Sequence, residues 1–328
     1  MIATLQSLRF IFVMMIFMSH FAYRDIRAFD AGGDCGVAFF FMLSGFVVSL
    51  GYGRQIREGS FRYGRFLRRR LLKLYPLHLL CLAFFIIVSG CAIDYSVVLN
   101  ALLLQAWVPD SAVYFSCNGV SWFLSSLFFC YLLFPLAWRW VSSWGLAVVL
   151  ALYAIACYLT PYDQVNAILY VNPLLRFVDF YIGMALYRLY ERGYNVSLAG
   201  WLEALLVVAL VVLLAVYPVA DAKLRNAPMY WLVLVPLILV FSKEQGFVSS
   251  LLRRRPMLTL ASLSMPVYMI HQMAIGILQH RLPEMPAVAM LFVCLLVVLV
   301  LSWLIDRFFL RPLAVADNNI GKSTFILI

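Results

Sequence analysis

Charged residues are scarce in this chain. Only 12% of its 328 residues are charged, whereas 65% are hydrophobic, and the mean hydropathy is +0.95. An ordinary soluble domain is about half apolar and about a quarter charged. No polar stretch is long enough to form an appended soluble domain. The composition therefore predicts an integral membrane protein.

Three further features are missing. The N-terminus has no basic region followed by a small-residue cleavage site, so the first apolar segment is expected to remain as a membrane span. The seven cysteines form no C-x-x-C pair and have no histidine at metal-ligand spacing, so no metal is expected. The net charge of +10 is ascribed to membrane topology, and no nucleic-acid partner is expected.

Long apolar segments are abundant, and their number sets the expected architecture. A bilayer span needs roughly 20 apolar residues. The stretch 96–107 is too short to span and is expected to be an interfacial or re-entrant helix. The sequence predicts an all-α bundle of about ten transmembrane helices in a single domain, 1–328, with a short C-terminal tail at 312–328. The ten segments are 8–22, 36–52, 72–92, 121–139, 144–160, 168–188, 201–217, 229–242, 258–279 and 287–309.

Lysine and arginine give the predicted bundle an orientation. Eighteen of these residues fall on one side of the predicted spans and five on the other. Eight of the eighteen lie in one basic connection, 53–73. Because basic residues accumulate in cytoplasmic loops, both termini are expected to be cytoplasmic.

Two ionisable residues, Arg9 and His20, stand in the first apolar segment. In a helix their spacing corresponds to about 16 Å along the axis and about 20° around it. Ionisable groups at membrane depth are costly and usually functional, and they face the bundle interior. Histidine also exchanges a proton near neutral pH. We therefore expect one shared face with Arg9 toward the cytoplasm, although a topology anchor and a packed histidine would also explain the two residues.

Other polar residues also lie within apolar segments. Tyr268 and His271 are three positions apart and should share a helix face. Arg176 and Asp179 have the same spacing and are expected to neutralise each other. Ser44 precedes a glycine, and such small residues allow a neighbouring helix or a ligand to approach closely. Ser44 has no base nearby in the sequence and is not expected to be a nucleophile.

A dense basic stripe ends the connection after the second predicted span. Arg65, Arg69 and Lys73 lie on one helical face, and Arg68 and Arg70 stand beside them. Such a stripe could bind a phosphorylated ligand or anionic lipid. Topology alone is the alternative explanation, but eight basic residues in the connection exceed what orientation needs.

Taken in order along the chain, these residues resemble the acyltransferase 3 family of integral membrane acyltransferases. The family's R-x10-H motif is matched by Arg9 and His20, and its F-F-x-x-S-G-F motif by residues 40–46 including Ser44. Its basic segment ending in Tyr-Pro is matched by residues 68–76, and the W-F-L of one subgroup by residues 122–124. Its S-x-x-x-Y-x-x-H motif is matched by Ser264, Tyr268 and His271. The chain departs from the family at Ala38, where many members have an acidic residue, and it lacks a glutamate shortly after Trp122. The C-terminal hydrolase-like domain of some members is expected to be absent.

The resemblance implies acyl transfer in a bacterial cytoplasmic membrane. The expected donor is cytoplasmic acyl-CoA, with acetyl-CoA first among the candidates, and the expected acceptor is a hydroxyl of an envelope glycan or lipid-linked saccharide. His20 would be the general base, with acylation of the histidine itself as an alternative. Arg9 would hold a donor phosphate or the developing oxyanion.

The remaining residues of the motifs would assist the reaction. The donor would bind to Arg65, Arg68, Arg69, Arg70 and Lys73. Substrate would be bound or supported by Ser44, Trp122, Tyr268 and His271. Membrane lipid is a further expected partner. The alternative function is a transporter or flippase of a lipid-linked saccharide, whose pathway the buried ionisable groups would line.

Overall fold

The computed structural model describes residues 2–193 and 199–314. It is 81% helical, and this part of the chain contains no β-strand. The predicted all-α fold is therefore confirmed. The described α-helices are α1 (Ala3–His20), α2 (Asp30–Arg57), α3 (Tyr63–Ser89), α4 (Tyr95–Ala101), α5 (Ser111–Tyr114), α6 (Trp122–Trp138), α7 (Ser143–Leu159), α8 (Pro173–Glu191), α9 (Ala199–Val216), α10 (Ala222–Arg225), α11 (Pro228–Phe241), α12 (Phe247–Leu252), α13 (Arg255–Ser262), α14 (Ser264–Arg281) and α15 (Ala287–Ile305).

Several helices have the length and apolar character of membrane spans. Six described helices, or eight spans if each bent helix pair is counted as one, meet both criteria. The pair α13 and α14, bent by 56°, is one of these broken spans. The chain is thus an integral membrane protein, while the total of ten spans and the cytoplasmic termini stay predictions. Most of the predicted tail at 312–328 lies outside the described residues.

The basic connection is shorter than the predicted 53–73. Helix α2 continues through Arg57 and α3 begins at Tyr63, so the link is 58–62. Arginine, leucine and lysine are good helix formers, and they continue both helices beyond their apolar parts. The basic stripe therefore belongs to α3 itself, which fixes the directions of its side chains.

Helices α2 and α8 meet almost backbone to backbone. A side chain at Gly45 would overlap the carbonyl oxygen of Phe180, and one at Gly183 would overlap that of Met42. Glycine at both crossing points permits this approach, which is typical of helix packing in membranes. Gly45 therefore serves helix packing, whereas the neighbouring Ser44 lies on the other side of α2.

The short segment predicted at 96–107 does form short helical turns, α4 followed by a 3₁₀ turn at Gln105–Trp107. Its Asn100 is fully buried and hydrogen-bonded on several sides. The Asn100 side chain donates to Ser116 Oγ at 2.7 Å and accepts from Ser121 Oγ at 2.9 Å. These bonds hold the loop that leads into α6, beside the site described next.

Candidate active site

Residues of helix α1 line two different cavities. Arg9 lines the first, which has a volume of about 220 Å³ and which we call the cationic cavity. His20 lines the second, of about 380 Å³, which we call the polar cavity. The two residues predicted to form one stripe on α1 thus line separate cavities, one beside the N-terminal half of the helix and one at its C-terminal end.

The cationic cavity contains three basic residues, Arg9, Arg70 and Lys73, and no acidic residue among its described lining. The two arginines are close enough to Lys73 to interact with it electrostatically. Arg70 is only 7% exposed, and its Nε has no hydrogen-bond partner among the described residues. Uncompensated buried cations are costly, so this cavity is suited to an anionic ligand.

The inward face of α3 differs from the predicted basic stripe. Buried Phe66 marks this face, and Arg70 and Lys73 follow it one and two turns later. The other predicted donor-binding residues, Arg65, Arg68 and Arg69, do not line the cavity. Arg70 is held by aromatic rings, with its guanidinium carbon 5.3 Å from the Tyr52 ring centroid and 5.6 Å from that of Tyr131. Such cation–π contacts fix the orientation of the guanidinium.

Two of the predicted supporting residues, Ser44 and Tyr268, lie in the wall of the cationic cavity. Ser264, which belongs to the same family motif as Tyr268, also lines this cavity, as does Tyr131. The hydroxyl of Tyr268 donates to the carbonyl oxygen of Val120 at 2.9 Å. Tyr268 is therefore fixed between the cavity and the loop before α6.

His271 lies directly behind this wall and reaches His20. Its Nδ1 is 2.8 Å from the carbonyl oxygen of Tyr268 and 3.1 Å from that of Val267. A carbonyl oxygen only accepts, so Nδ1 carries the proton and Nε2 of the neutral ring is an acceptor. His271 Nε2 lies 3.2 Å from His20 Nδ1. The predicted shared face of Tyr268 and His271 thus connects the cationic cavity with His20.

The same argument fixes the tautomer of His20. Its Nδ1 lies 3.0 Å from the carbonyl oxygen of Ile16 and faces the acceptor nitrogen of His271. The Ser19 hydroxyl, 3.3 Å from Nδ1, donates its own hydrogen to the Ile16 carbonyl oxygen and can only accept here. All three neighbours therefore accept, so Nδ1 of the neutral His20 ring carries the proton. Nε2 is then unprotonated, and it has no hydrogen-bond partner among the described residues. His20 therefore presents a free basic nitrogen on a ring that lines the polar cavity.

The polar cavity is lined by residues that the sequence did not single out. Asp30 and Asp34 come from the first turns of α2, and Tyr217 and Arg225 come from the segment between α9 and α11. Tyr217 donates its hydroxyl to Asp34 Oδ2 at 3.2 Å. The predicted second span began at residue 36, which placed both aspartates in a loop. The spacing of four residues between the two aspartates, which places them on one helix face, was the signal in the sequence that could have identified them.

A buried ion pair holds two walls of the polar cavity together. Arg176 bonds Asp179 at 2.8 Å, and both side chains are about 1% exposed, so their predicted mutual neutralisation is confirmed. Arg176 also donates to the carbonyl oxygen of Tyr170 at 2.5 Å and to that of Asn226 at 3.0 Å. Tyr170 and Asn226 both line the polar cavity, so the pair determines its shape.

Trp122 lines neither cavity but packs between them. Its ring centroid is 4.9 Å from that of Tyr170 in the polar cavity. The next residue, Phe123, lines the cationic cavity and lies 5.2 Å from the Tyr268 ring. Trp122 thus supports the partition between the cavities. The described residues contain no group of three or more side chains suited to hold a metal ion.

Comparison with known proteins agrees with this architecture. A family model described as an acyltransferase domain matches residues 2–307. Acyltransferase MdmB of Streptomyces mycarofaciens is 32% identical over 159 residues, which are 43% of this chain and 40% of that protein. Protein 2 in picA locus of Rhizobium radiobacter is 45% identical over 53 residues, 16% of this chain and 28% of that protein.

The matched segments thus span less than half the length of either relative. No solved structure matches the chain. The family model, in contrast, covers nearly the whole sequence, and its class agrees with a helical membrane protein that has a histidine between two cavities. The chain belongs to the acyltransferase 3 family and is an integral membrane protein.

Proposed function

We propose that this enzyme moves an acyl group, most simply acetyl, from acyl-CoA in the cationic cavity to a hydroxyl of an envelope glycan or lipid-linked saccharide in the polar cavity. The membrane would be the bacterial cytoplasmic membrane. One observation carries the proposal. His20 presents a free basic nitrogen at the polar cavity, while its other ring nitrogen contacts the histidine behind the cationic cavity.

The charge of the cationic cavity suits the donor. Coenzyme A carries several phosphate charges, and Arg9, Arg70 and Lys73 supply three cations with no acidic residue among the described lining. A cavity of about 220 Å³ is too small for a whole CoA molecule. We therefore place the pantetheine arm and the thioester inside, with a phosphate at the cations and the nucleotide outside. Arginine forms paired hydrogen bonds with phosphate oxygens.

A short series of rings lies between the proposed donor site and the proposed base. Tyr268 lines the cationic cavity, and its ring centroid is 6.0 Å from that of His271. The His271 centroid is in turn 4.9 Å from that of His20. The thioester would pass beside Tyr268 to meet the acceptor near His20.

The reaction itself needs one base and a leaving thiol. His20 Nε2 takes the proton of the acceptor hydroxyl as its oxygen attacks the thioester carbonyl carbon. The carbon–sulfur bond breaks, and the CoA sulfur leaves with the proton returned by the His20 imidazolium. A new ester and free CoA result. General base catalysis by a positioned histidine typically contributes about 10²–10⁴-fold.

His271 is assigned a positioning role in this scheme. It accepts a hydrogen bond from the protonated Nδ1 of His20 and is itself fixed by the Val267 and Tyr268 carbonyl oxygens. This arrangement keeps the basic nitrogen of His20 directed away from α14. In many enzymes a neighbouring residue fixes the tautomer of a catalytic histidine through a hydrogen bond.

Transfer of labelled acetyl from acetyl-CoA to a cell-envelope extract tests the proposal. Purified protein in lipid nanodiscs should label the extract, and the His20→Ala variant should not. His280→Ala is the matched control, because His280 is exposed at the end of α14 and lines neither cavity. Equal labelling by wild type and His20→Ala would overturn the role of His20. Saccharide movement across the membrane without acyl-CoA consumption would favour the transporter function.

A further inference from the structure

We infer that the polar cavity selects a neutral, polyhydroxylated acceptor and that Asp34 sets this selection by binding an acceptor hydroxyl. The inference rests on the proposed function and specifies its acceptor class. The lining of this cavity differs chemically from that of ordinary ligand sites. Small-molecule sites are usually lined mainly by apolar side chains with a few polar groups.

The polar cavity has the opposite composition. Nine of its thirteen lining residues are polar or ionisable, and the aromatic members Tyr170 and Tyr217 carry hydroxyl groups. Its volume of about 380 Å³ lies at the small end of ligand sites. Many hydrogen-bonding groups in a small space suit a ring that carries several hydroxyl groups. A sugar ring has this form.

The charges of the lining disfavour an anion. Asp30 and Asp34 contribute two acidic side chains, and Arg225 is the one basic residue of the described lining besides the titratable His20. Arg225 is also stacked over the Tyr217 ring at 5.2 Å, which directs its charge toward that ring. A carboxylate or phosphate on the acceptor would therefore meet like charge. Such repulsion is an effective means of rejecting a competing ligand.

Asp34 is held in position but keeps binding capacity. Its Oδ2 accepts from Tyr217 at 3.2 Å, and Tyr170 lines the same cavity. A carboxylate has about four acceptor sites, so further sites are available for an acceptor hydroxyl. Asp34 stands one helical turn before Ala38 on α2.

Paired sugars provide the test. The probes are methyl glucoside, methyl galactoside and methyl mannoside, each beside its uronic acid counterpart, in which a carboxylate replaces the C6 hydroxymethyl group; acetylation is counted at the ring hydroxyl groups, which both members of a pair share. Purified wild-type protein in nanodiscs receives acetyl-CoA and one probe, and mass spectrometry measures the acetylated product. We expect at least one neutral glycoside to be acetylated at least about tenfold faster than its uronic acid partner.

Asp34→Asn then assigns the selection to one residue. Asparagine keeps the size and the acceptor oxygen for Tyr217 but removes the charge. This variant should raise the KM of the neutral glycoside and reduce the preference to less than about threefold. Asp163→Asn is the matched control, because Asp163 is exposed beside the cavity without lining it. It should leave the preference unchanged.

The outcomes separate this inference from the proposed function. If a cell-envelope extract is acetylated but no neutral glycoside is, or if the uronic acids react equally well, the acceptor class is wrong while the enzyme assignment stands. An unchanged preference in Asp34→Asn would overturn the role of Asp34. If neither extract nor glycoside is acetylated, the proposed function fails and the inference fails with it.

Discussion

The two cavities share helix α1 but differ in almost every chemical property. The cationic cavity is the smaller, at about 220 Å³, and combines apolar walls with three unneutralised basic residues. The polar cavity, at about 380 Å³, has polar walls, two aspartates and His20. Eleven positions along one helix separate Arg9 from His20. One rigid helix can therefore hold two unlike substrates at a fixed distance.

The partition between the cavities shows how such a difference can be maintained. Tyr268 belongs to the cationic side and His20 to the polar side, and His271 is buried between them. The polar groups of this partition are bound to backbone carbonyl oxygens of their own or neighbouring segments. Fixed dipoles of this kind orient reacting groups without reorganisation during the reaction.

Removal of the base on the polar side should have the largest effect. His20→Ala should lower kcat about a thousandfold, with no loss of folded protein because His20 is only partly buried. Single-turnover transfer from acetyl-CoA measures this change, and His280→Ala should remain within about twofold of wild type. A normal kcat in His20→Ala would show that the polar cavity does not supply the catalytic base.

A charge change on the cationic side should act on the donor alone. Arg70→Gln should raise the KM for acetyl-CoA about tenfold to a hundredfold, because hydrogen bonds to charged groups contribute about 1.5–3 kcal/mol. The KM for the acceptor should stay constant. Arg65→Gln is the control, since Arg65 is exposed on the same helix. Equal effects of the two variants would show that general basicity, and not the cavity, binds the donor.

The positioning role of His271 predicts a smaller and more specific change. His271→Phe should lower kcat about tenfold with both KM values nearly constant, because His20 Nδ1 loses its acceptor. His271→Gln should recover part of the rate, since its amide oxygen can accept the same hydrogen bond. Loss of folded protein in both variants, or an equal kcat in both, would reduce His271 to a packing residue.

The spacing of the two cavities also depends on α2, which contributes Asp34 to one and Ser44 to the other. Gly183→Ala should force α2 and α8 apart and destabilise the protein by about 1–3 kcal/mol. Thermal unfolding in detergent measures this change. Gly276→Ala is the matched control, because a side chain there meets open space and alanine favours a helix. Equal melting temperatures would contradict the close helix contact.

Sequence reasoning found the helical residues of the site better than its loop residues. Arg9, His20, Tyr268 and His271 could be predicted because each ionisable or polar group interrupts an apolar helix. Their division between two cavities could not be predicted, since it depends on which neighbours pack against each end of α1. Helix periodicity alone predicted a basic face of α3 through Arg65 and Arg69. The buried face runs through Phe66 and Arg70, one residue further along the chain.

The polar cavity was missed for two physical reasons. Asp34 lies in the first turns of α2, where the apolar signal has not yet begun, so a hydropathy boundary excludes it. Tyr170, Tyr217 and Arg225 come from short helical turns between the long helices. These segments meet through tertiary contacts such as the bonds of Arg176 to the carbonyl oxygens of Tyr170 and Asn226. No local pattern encodes such a meeting.

Equilibrium binding of labelled acetyl-CoA to three purified proteins tests the central claim most directly. The claim is that donor binding and the catalytic base belong to different cavities. His20→Ala should bind the donor with a Kd within about twofold of wild type, while Arg70→Gln should bind about tenfold or more weakly. Loss of donor binding in His20→Ala, with normal binding in Arg70→Gln, would place the donor in the polar cavity and contradict the account.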